Sequence, residues 1–282
     1  SEVGVWDYAP EDVVLKGRVK PGQIFAADLT TGQLLFPEDI DALLKSAKPY
    51  RQWIKDNAKK LEFSLEDDTK LEAMTSDELL VYQKMFGLSF EERDQIIRVL
   101  AEDGQEAVGS MGDDTPMAVL SQKIRSPYDF LRQQFAQVTN PPIDPLRESI
   151  VMSLETCFGR EQNVFEQSPE HADRLIVSSP VLSNSKMHQI RTIGRKGYEI
   201  ADIDLNYAEA EGLEAAIARI CEEAAQAIRN GKTLLVLSDK KIREGYLPAN
   251  ALMATGAVHH HLINAGLRTD ANIIVETGLA RD

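Results

Sequence analysis

The sequence predicts an α/β fold: an incomplete or distorted (β/α) barrel-like parallel sheet, preceded by an N-terminal β piece and a helical segment. Two observations carry this reading. Across residues 171–282, strand patterns beginning near 173, 198, 232 and 271 alternate with helical ones. That alternation calls for parallel strands joined by right-handed crossovers, which either a doubly wound sheet or part of a (β/α) barrel would satisfy. Residues 1–49, in contrast, alternate apolar and polar over strand-length runs and contain no such units. The expected division is 1–49 as a β piece and 50–282 as the main domain. The latter comprises a helical segment over 50–137, a Pro-rich junction over 138–148 and βα units over 171–282.

In the first piece, VVLKGRVKPGQIFAADLTTGQLLF carries turn signals at Pro21-Gly22 and Thr30-Thr31-Gly32. It has too few strands to close a core alone. From Pro37, EDIDALLKSAKPYRQWIKDNAKKL is helical in pattern, with an interruption near Pro49. A helical pair follows. SDELLVYQKMFG stops at Gly87, and SFEERDQIIRVLAEDG opens with a capping box in which Ser89 caps and Glu92 reaches back. Ile96, Ile97 and Leu100 share one face and Gly104 ends the helix, so a packed hairpin is expected.

The stretch GSMGDDTP over 109–116 lacks the phosphate-loop spacing and carries two acids. It reads as a tight turn, with Asp114 or Thr115 capping a helix that has Pro116 in its first turn. Val138–Glu148, VTNPPIDPLRE, holds three prolines. Asn140 and Asp144 both precede proline and are pushed out of the helical region. The segment is therefore a rigid, extended connector.

In the βα region, DRLIVSSP is a short buried strand and NSKMHQIRTI a helix. GYEIADIDLNY is a strand with Ala201, Ile203, Leu205 and Tyr207 on one side. A long amphipathic helix ends at Gly231, KTLLVLSD is the next strand, a helix ends at Gly266, and ANIIVETG is the last strand. Parallel sheets carry function at strand carboxyl ends. That rim would hold Ser178, Ser179, Asp204, Asn206, Ser238, Asp239, Glu276 and Thr277, residue types that also cap the helices that follow.

Composition narrows the function classes. A net charge of −14, from 31 basic and 45 acidic residues, argues against nucleic acid or an anionic membrane as partner. Cys157 and Cys221 have no CxxC spacing, so the sequence supports neither a disulfide framework, structural zinc nor an iron–sulfur cluster. A reducing cytoplasm fits this usage. No apolar run approaches the ~18 residues that span a bilayer, and SEVGVWDYAPED shows no signal-peptide pattern. Three neighbouring histidines, His259–His261, point about 100° apart on a helix and do not close on one metal. His260 or His261 is expected to pack on the sheet or to cap carbonyls near Gly266. Ser1 has no base or oxyanion pattern nearby and is not read as a nucleophile.

The motifs, taken in order, carry a resemblance. GSMGDDTPMAVLS, YDFLRQQFAQVTNPPIDPLRE, SSPVLS and ATGAVHHHLINAGLRTDANIIVETG strongly resemble the central region of the large (α) chain of glutamate synthase, over roughly residues 60–282. Residues 1–49 look like the last strands of that family's N-terminal glutaminase domain.

The resemblance implies an enzyme, an oxidoreductase that transfers the glutamine amide nitrogen to 2-oxoglutarate and yields L-glutamate. This region would be a scaffold and ammonia-tunnel wall between the glutaminase site and an FMN-dependent synthase site. Thr139, Asn140 and Met111 are the residues expected to line the passage. The resemblance places no catalytic, metal or cofactor residue in this chain. The cysteine nucleophile is expected upstream of Ser1, and the FMN barrel with its 3Fe-4S cluster beyond Asp282. Partners would be those two domains of the same polypeptide and an electron donor. The alternative is a free-standing α/β-barrel enzyme using an acidic strand-end rim, Asp202, Asp204, Asp239 and Glu276, with a divalent metal. A further alternative is an interaction module without catalysis.

Overall fold

A computed structural model describes residues 6–61, 74–107, 118–122, 126–131 and 151–281. Met111, Thr139, Asn140, the turn at 109–116 and the junction 138–148 lie outside the described residues.

The chain forms two compact units, Ser1–Asn57 and Ala58–Asp282. In the first, β1 (Ala26–Asp28) pairs antiparallel with β2 (Gln33–Leu35). Asp28 makes the connecting turn: its carboxylate accepts the amides of Thr30 at 2.8 Å and Thr31 at 3.3 Å. Gly32, at φ 72°, occupies the left-handed conformation that lets its N–H reach the Asp28 carbonyl at 2.8 Å. Helix α1 (Pro37–Ser46) starts on proline, and the Asp39 carboxylate accepts the Phe36 amide at 3.0 Å. Pro49 separates it from α2 (Tyr50–Asn57). None of residues 6–57 is buried. The hydrophobic residues among these described positions sit on the elements without entering a core.

The second unit opens with β3 (Lys59–Lys60) and α3 (Ser76–Met85). Thr75 and Glu78 form a capping box on α3, which sequence reasoning did not single out. The expected stop falls at Gly87, φ 60°. Helix α4 has three successive segments: α-helical Phe90–Glu92, π-helical Arg93–Ile97 and α-helical Arg98–Asp103. Its capping box forms as expected, with the Ser89 amide donating to Glu92 at 2.9 Å and the Glu92 amide to Ser89 Oγ at 3.1 Å. Gly104, φ 62°, ends it. The expected packing is weaker than the pattern implies. Neither helix buries a residue and Leu100 is exposed. The anchor is Phe86, in the turn between them, at 4% exposure.

Next come β4 (Thr156–Phe158), β5 (Leu175–Val177), α5 (Asn184–Thr192), β6 (Ile200–Asp204), β7 (Asn206–Ala208), α6 (Leu213–Arg229), β8 (Leu234–Ser238), β9 (Tyr246–Pro248), α7 (Ala251–Asn264) and β10 (Asn272–Glu276). Strands β6, β8 and β10 form a parallel sheet with β8 in the centre; Ile200 and Asn272 both flank Leu234, and Asp204 and Glu276 both flank Ser238. Helices α6 and α7 provide the two crossovers. Leu234–Leu237 of β8 are all 0% exposed, the signature of a strand covered on both faces.

Alternation assigns the faces. Leu235 and Leu237 join Ile203, the α6 stripe Ile220, Ala224 and Ile228, and Ala254, Val258 and Leu262 of α7. Leu234 and Val236 join Ile274, Leu175 and Val177 of β5, Ile190 of α5 and Tyr198. Alanines on both helices shorten the side chains between them and the sheet. Each buried leucine or valine contributes about 1.5–3 kcal/mol.

Three expectations need correction. The α/β class and the parallel sheet stand, but no closed barrel forms among the described strands: β5 is absent from the β6–β8–β10 sheet and sits between β3, to which it is parallel, and β4, to which it is antiparallel. Both its edges are taken by strands from outside the βα series. Secondly, the strand expected through Tyr207 divides at Leu205. Its first half stays on β8, while β7 turns away to pair antiparallel with β9. Ala201, Ile203, Leu205 and Tyr207 still face one core, as expected. Thirdly, β9 itself has no counterpart among the strand patterns of the sequence, because its pairing partner is distant along the chain.

Candidate functional site

The carboxyl ends of β6, β8 and β10 bring most of the anticipated polar rim together. Ser238 Oγ donates to Glu276 Oε2 at 2.7 Å, and Lys240 Nζ stands 3.6 Å from the other Glu276 oxygen. Asp239, 0% exposed, accepts the Thr277 hydroxyl through Oδ2 and the Gly278 amide, at 3.4 Å, through Oδ1. Its own amide donates to the Glu276 carbonyl at 3.2 Å. On the other side, Asn206 Nδ2 donates to Asp204 Oδ1 at 2.8 Å and to the Asp239 carbonyl at 3.2 Å. Arg243 pairs with Asp204 at 3.1 Å and lies 4.0 Å from the Tyr246 ring centroid.

Burial pushes the Asp239 carboxyl up in pKa, against the lowering effect of the Thr277 and Gly278 hydrogen bonds. Tyr82 of α3 is raised too, first by burial and then by the negative charges of Asp239 and Glu276. The hairpin thus lies beside this rim. Arg281 completes the junction: Nη2 donates to Glu92 Oε1 at 2.5 Å, and Nη1 to the carbonyls of Phe86 at 3.2 Å and Gly278 at 2.9 Å. Glu92 is partly buried, which alone would raise its pKa. The Ser89 amide and the Arg281 guanidinium outweigh that and hold it below the usual carboxylate range.

The rim therefore ties three strand ends to one another. Chemistry of the acid–base or metal kind needs carboxylates that converge on open space, and these accept bonds from their own neighbours. Asp202 is not among them: it forms a two-pronged pair with Arg191 at 2.8 and 2.5 Å. That pair lowers the pKa of Asp202. Among the described residues no three His, Cys, Asp or Glu side chains are grouped to hold a metal. Ser178 and Ser179 follow β5 in the other sheet, where Ser179 Oγ accepts the Val181 amide at 3.1 Å.

The histidine run behaves differently from expectation. His260 is exposed, and His261 lies 3.9 Å from Glu222 on α6. His259 is the structural member: its Nδ1 accepts Arg268 Nε at 2.9 Å, while Arg268 Nη1 holds the Ala271 carbonyl at 2.8 Å. Helical phase decides this, since His259 faces the turn into β10. Cys157, exposed on β4, and Cys221, buried on α6, are both free and lie on separate elements. They offer no converging thiols for a cluster.

A concavity of about 560 Å³ opens at the amino end of the sheet, lined by Arg191, Arg195, Lys196, Glu199 and Lys232 among others. Its arginines are engaged, Arg191 by Asp202 and Arg195 by Asp173 at 2.6 Å. Sequence reasoning missed Arg281, Arg243 and Tyr82. Single charged or aromatic residues in loops and on helix faces carry no spacing signal, although the acidic capping box at Glu92 did mark one end of the ion pair.

Comparison with known proteins agrees with the motif order. Residues 81–282 match the family model described as the glutamate synthase central domain, and residues 1–53 match that of class-II glutamine amidotransferases. The chain is 40% identical over 282 residues to the chloroplastic ferredoxin-dependent glutamate synthase of Oryza sativa subsp. japonica, covering 98% of this chain and 17% of that protein. It is 36% identical over 282 residues to the glutamate synthase (NADPH) large chain of Bacillus subtilis, covering 100% of this chain and 18% of that one. Against the glutamate synthase (NADH) of Schizosaccharomyces pombe the identity is 34% over 295 residues, 100% of this chain and 14% of that one. The chain thus spans less than a fifth of the length of these curated relatives. With most of its length matched by one family, and relatives well above 30% identity over nearly all of it, the chain belongs to the glutamate synthase central-domain family, with a class-II amidotransferase stretch at its N-terminus.

Proposed function

We propose that the chain is the connecting part of a glutamate synthase, acting as scaffold and ammonia-tunnel wall between a glutaminase site and an FMN-dependent synthase site. The parent enzyme, an oxidoreductase, makes L-glutamate from L-glutamine and 2-oxoglutarate. The observation that carries this is the succession of two family matches within one chain, amidotransferase over 1–53 and central domain over 81–282. In this reading residues 1–49 are the tail of the glutaminase domain and 50–282 the central domain.

The core-less first unit supports that division. Strands that bury nothing of their own need further chain to cover them. The rim supports a scaffolding role, because its carboxylates brace strand ends. FMN and the 3Fe-4S cluster belong to the full-length enzyme, as do the electron donor and the domains on either side. Two free thiols and the absence, among the described residues, of any helix long and apolar enough to cross a membrane are compatible with a cytoplasmic setting.

Within this function Thr139, Asn140 and Met111 line the passage. The sequence supports the choice: a residue that precedes proline disfavours the helical region, threonine is β-branched with few rotamers, and methionine is apolar and adaptable. The test is Thr139→Trp in the full-length enzyme. Glutamine-driven glutamate synthesis is expected to fall far more than synthesis driven by added ammonia, with glutaminase turnover uncoupled from product. Equal loss by both routes, or unchanged coupling, would refute the tunnel wall.

A further inference from the structure

Arg281 makes four hydrogen bonds to three separate places, two of them in the α3–α4 hairpin. Its side chain is only 14% exposed, and that of its partner Glu92 is 31% exposed. Glu92 serves two purposes at once: Oε2 closes the cap of α4 on Ser89, and Oε1 takes the guanidinium. Beside this pair Phe86 lies against Gly278, so close that a Cβ on Gly278 would stand 2.7 Å from the ring. Gly278 is in turn held to Asp239, and the Leu279 amide to Thr277 Oγ1 at 3.0 Å. The chain leaving β10 is thus gripped from the sheet side by Asp239, which takes the Thr277 hydroxyl and the Gly278 amide, and from the hairpin side by Phe86 and Glu92.

We infer that Arg281 and Glu92, with Phe86 seated on Gly278, form a clasp that positions whatever chain follows β10 relative to the α3–α4 hairpin. Arg281 and Glu92 are positioning residues in the proposed transfer of ammonia, and to that extent the inference rests on the function proposed above. The sequence running on from α4 contains Met111, assigned there to the passage, and the synthase domain is placed beyond residue 282. A grip between the two ends fixes their mutual register. Arginine suits this role, because its planar fork reaches a carboxylate and two carbonyls together, which a lysine point charge cannot do. The guanidinium is largely out of water, so the pair's geometry is held more firmly than that of an exposed ion pair.

The test uses full-length enzyme carrying Glu92→Gln, Arg281→Gln or both. Glutamine retains the capping box, so Glu92→Gln removes the ion pair while leaving α4 started. Each single variant is expected to lose more than about fivefold in glutamine-driven synthesis, a scale set by the coupling of paired charges. Ammonia-driven synthesis should stay within about twofold, and the double variant should be no worse than the worse single, as expected for one shared interaction. Amide hydrogen exchange over 76–103 and 277–281 should quicken in the same variants. Equal loss from both nitrogen sources, no loss from either, additive losses in the double, or failure of both singles to fold would each overturn the clasp. Thr139→Trp separates the two ideas: uncoupling there with normal clasp variants refutes the clasp alone, and the reverse pattern refutes the tunnel wall alone.

Discussion

Gly278→Ala is expected to destabilise the Ala58–Asp282 unit although it adds only a methyl group. Gly278 is not constrained by a left-handed backbone; the restriction is space. The added Cβ would lie 2.7, 2.9 and 3.0 Å from three carbons of the Phe86 ring, against about 3.5–4.0 Å for a comfortable carbon contact. The ring must therefore retreat by roughly 0.8 Å. It has little freedom to do so, being 4% exposed with its carbonyl held by Arg281. Overpacking of this kind costs about 1–3 kcal/mol. At about 2–4 °C per kcal/mol for a domain of ~150–250 residues, the far-UV circular dichroism midpoint should fall by about 2–12 °C. Phe86→Leu alone should also destabilise, by removing ring from a filled site. The double variant should be less destabilised than the two losses added, by at least ~0.5 kcal/mol, since the smaller side chain makes room for the methyl. A loss under about 0.5 kcal/mol for Gly278→Ala, or strict additivity in the cycle, would show that Phe86 does not press on Gly278 and would remove one leg of the clasp.

Asp239 gives a pH signature. Its folded pKa is raised by burial, so above its unfolded value of about 4 the native state holds a proton that the unfolded chain has released, and its contribution falls as pH rises through the folded pKa. Asp239→Asn should therefore gain relative to the parent in urea midpoints as pH rises above about 4; a difference independent of pH would contradict the burial argument. The two tryptophans, Trp6 and Trp53, both lie in the first unit, where none of residues 6–57 is buried. In the 282-residue chain, tryptophan fluorescence should therefore change at lower urea than far-UV dichroism, and coincident transitions would show that the first unit is stabilised as strongly as the second.

Much of the local structure follows from neighbours in the chain. Ser89 and Glu92 cap α4, Gly87 and Gly104 end helices, and Gly32 turns the β1–β2 hairpin, because each depends on dihedral freedom or a hydrogen bond spanning a few residues. The same holds for the two-faced burial of Leu234–Leu237, which is written as an unbroken apolar run. The rim was legible for a related reason: the end of a strand can be read wherever its pattern stops. Membership of a family was legible from the order of motifs, which the matches over 1–53 and 81–282 bear out.

Partner choice was not legible in this way. Nothing in LIV over 175–177 says that β3 and β4 will occupy both its edges and so keep it out of the β6–β8–β10 sheet. The divided strand at Leu205 depends on β9, nearly forty residues on, being there to receive β7. Arg281 meets Glu92 across 189 residues; with 31 cations and 45 acids in the chain, no spacing singles out that pair. Local preferences are settled by interactions within a turn or two of the backbone, whereas pairings of this reach exist only after packing of the core has brought distant ends together.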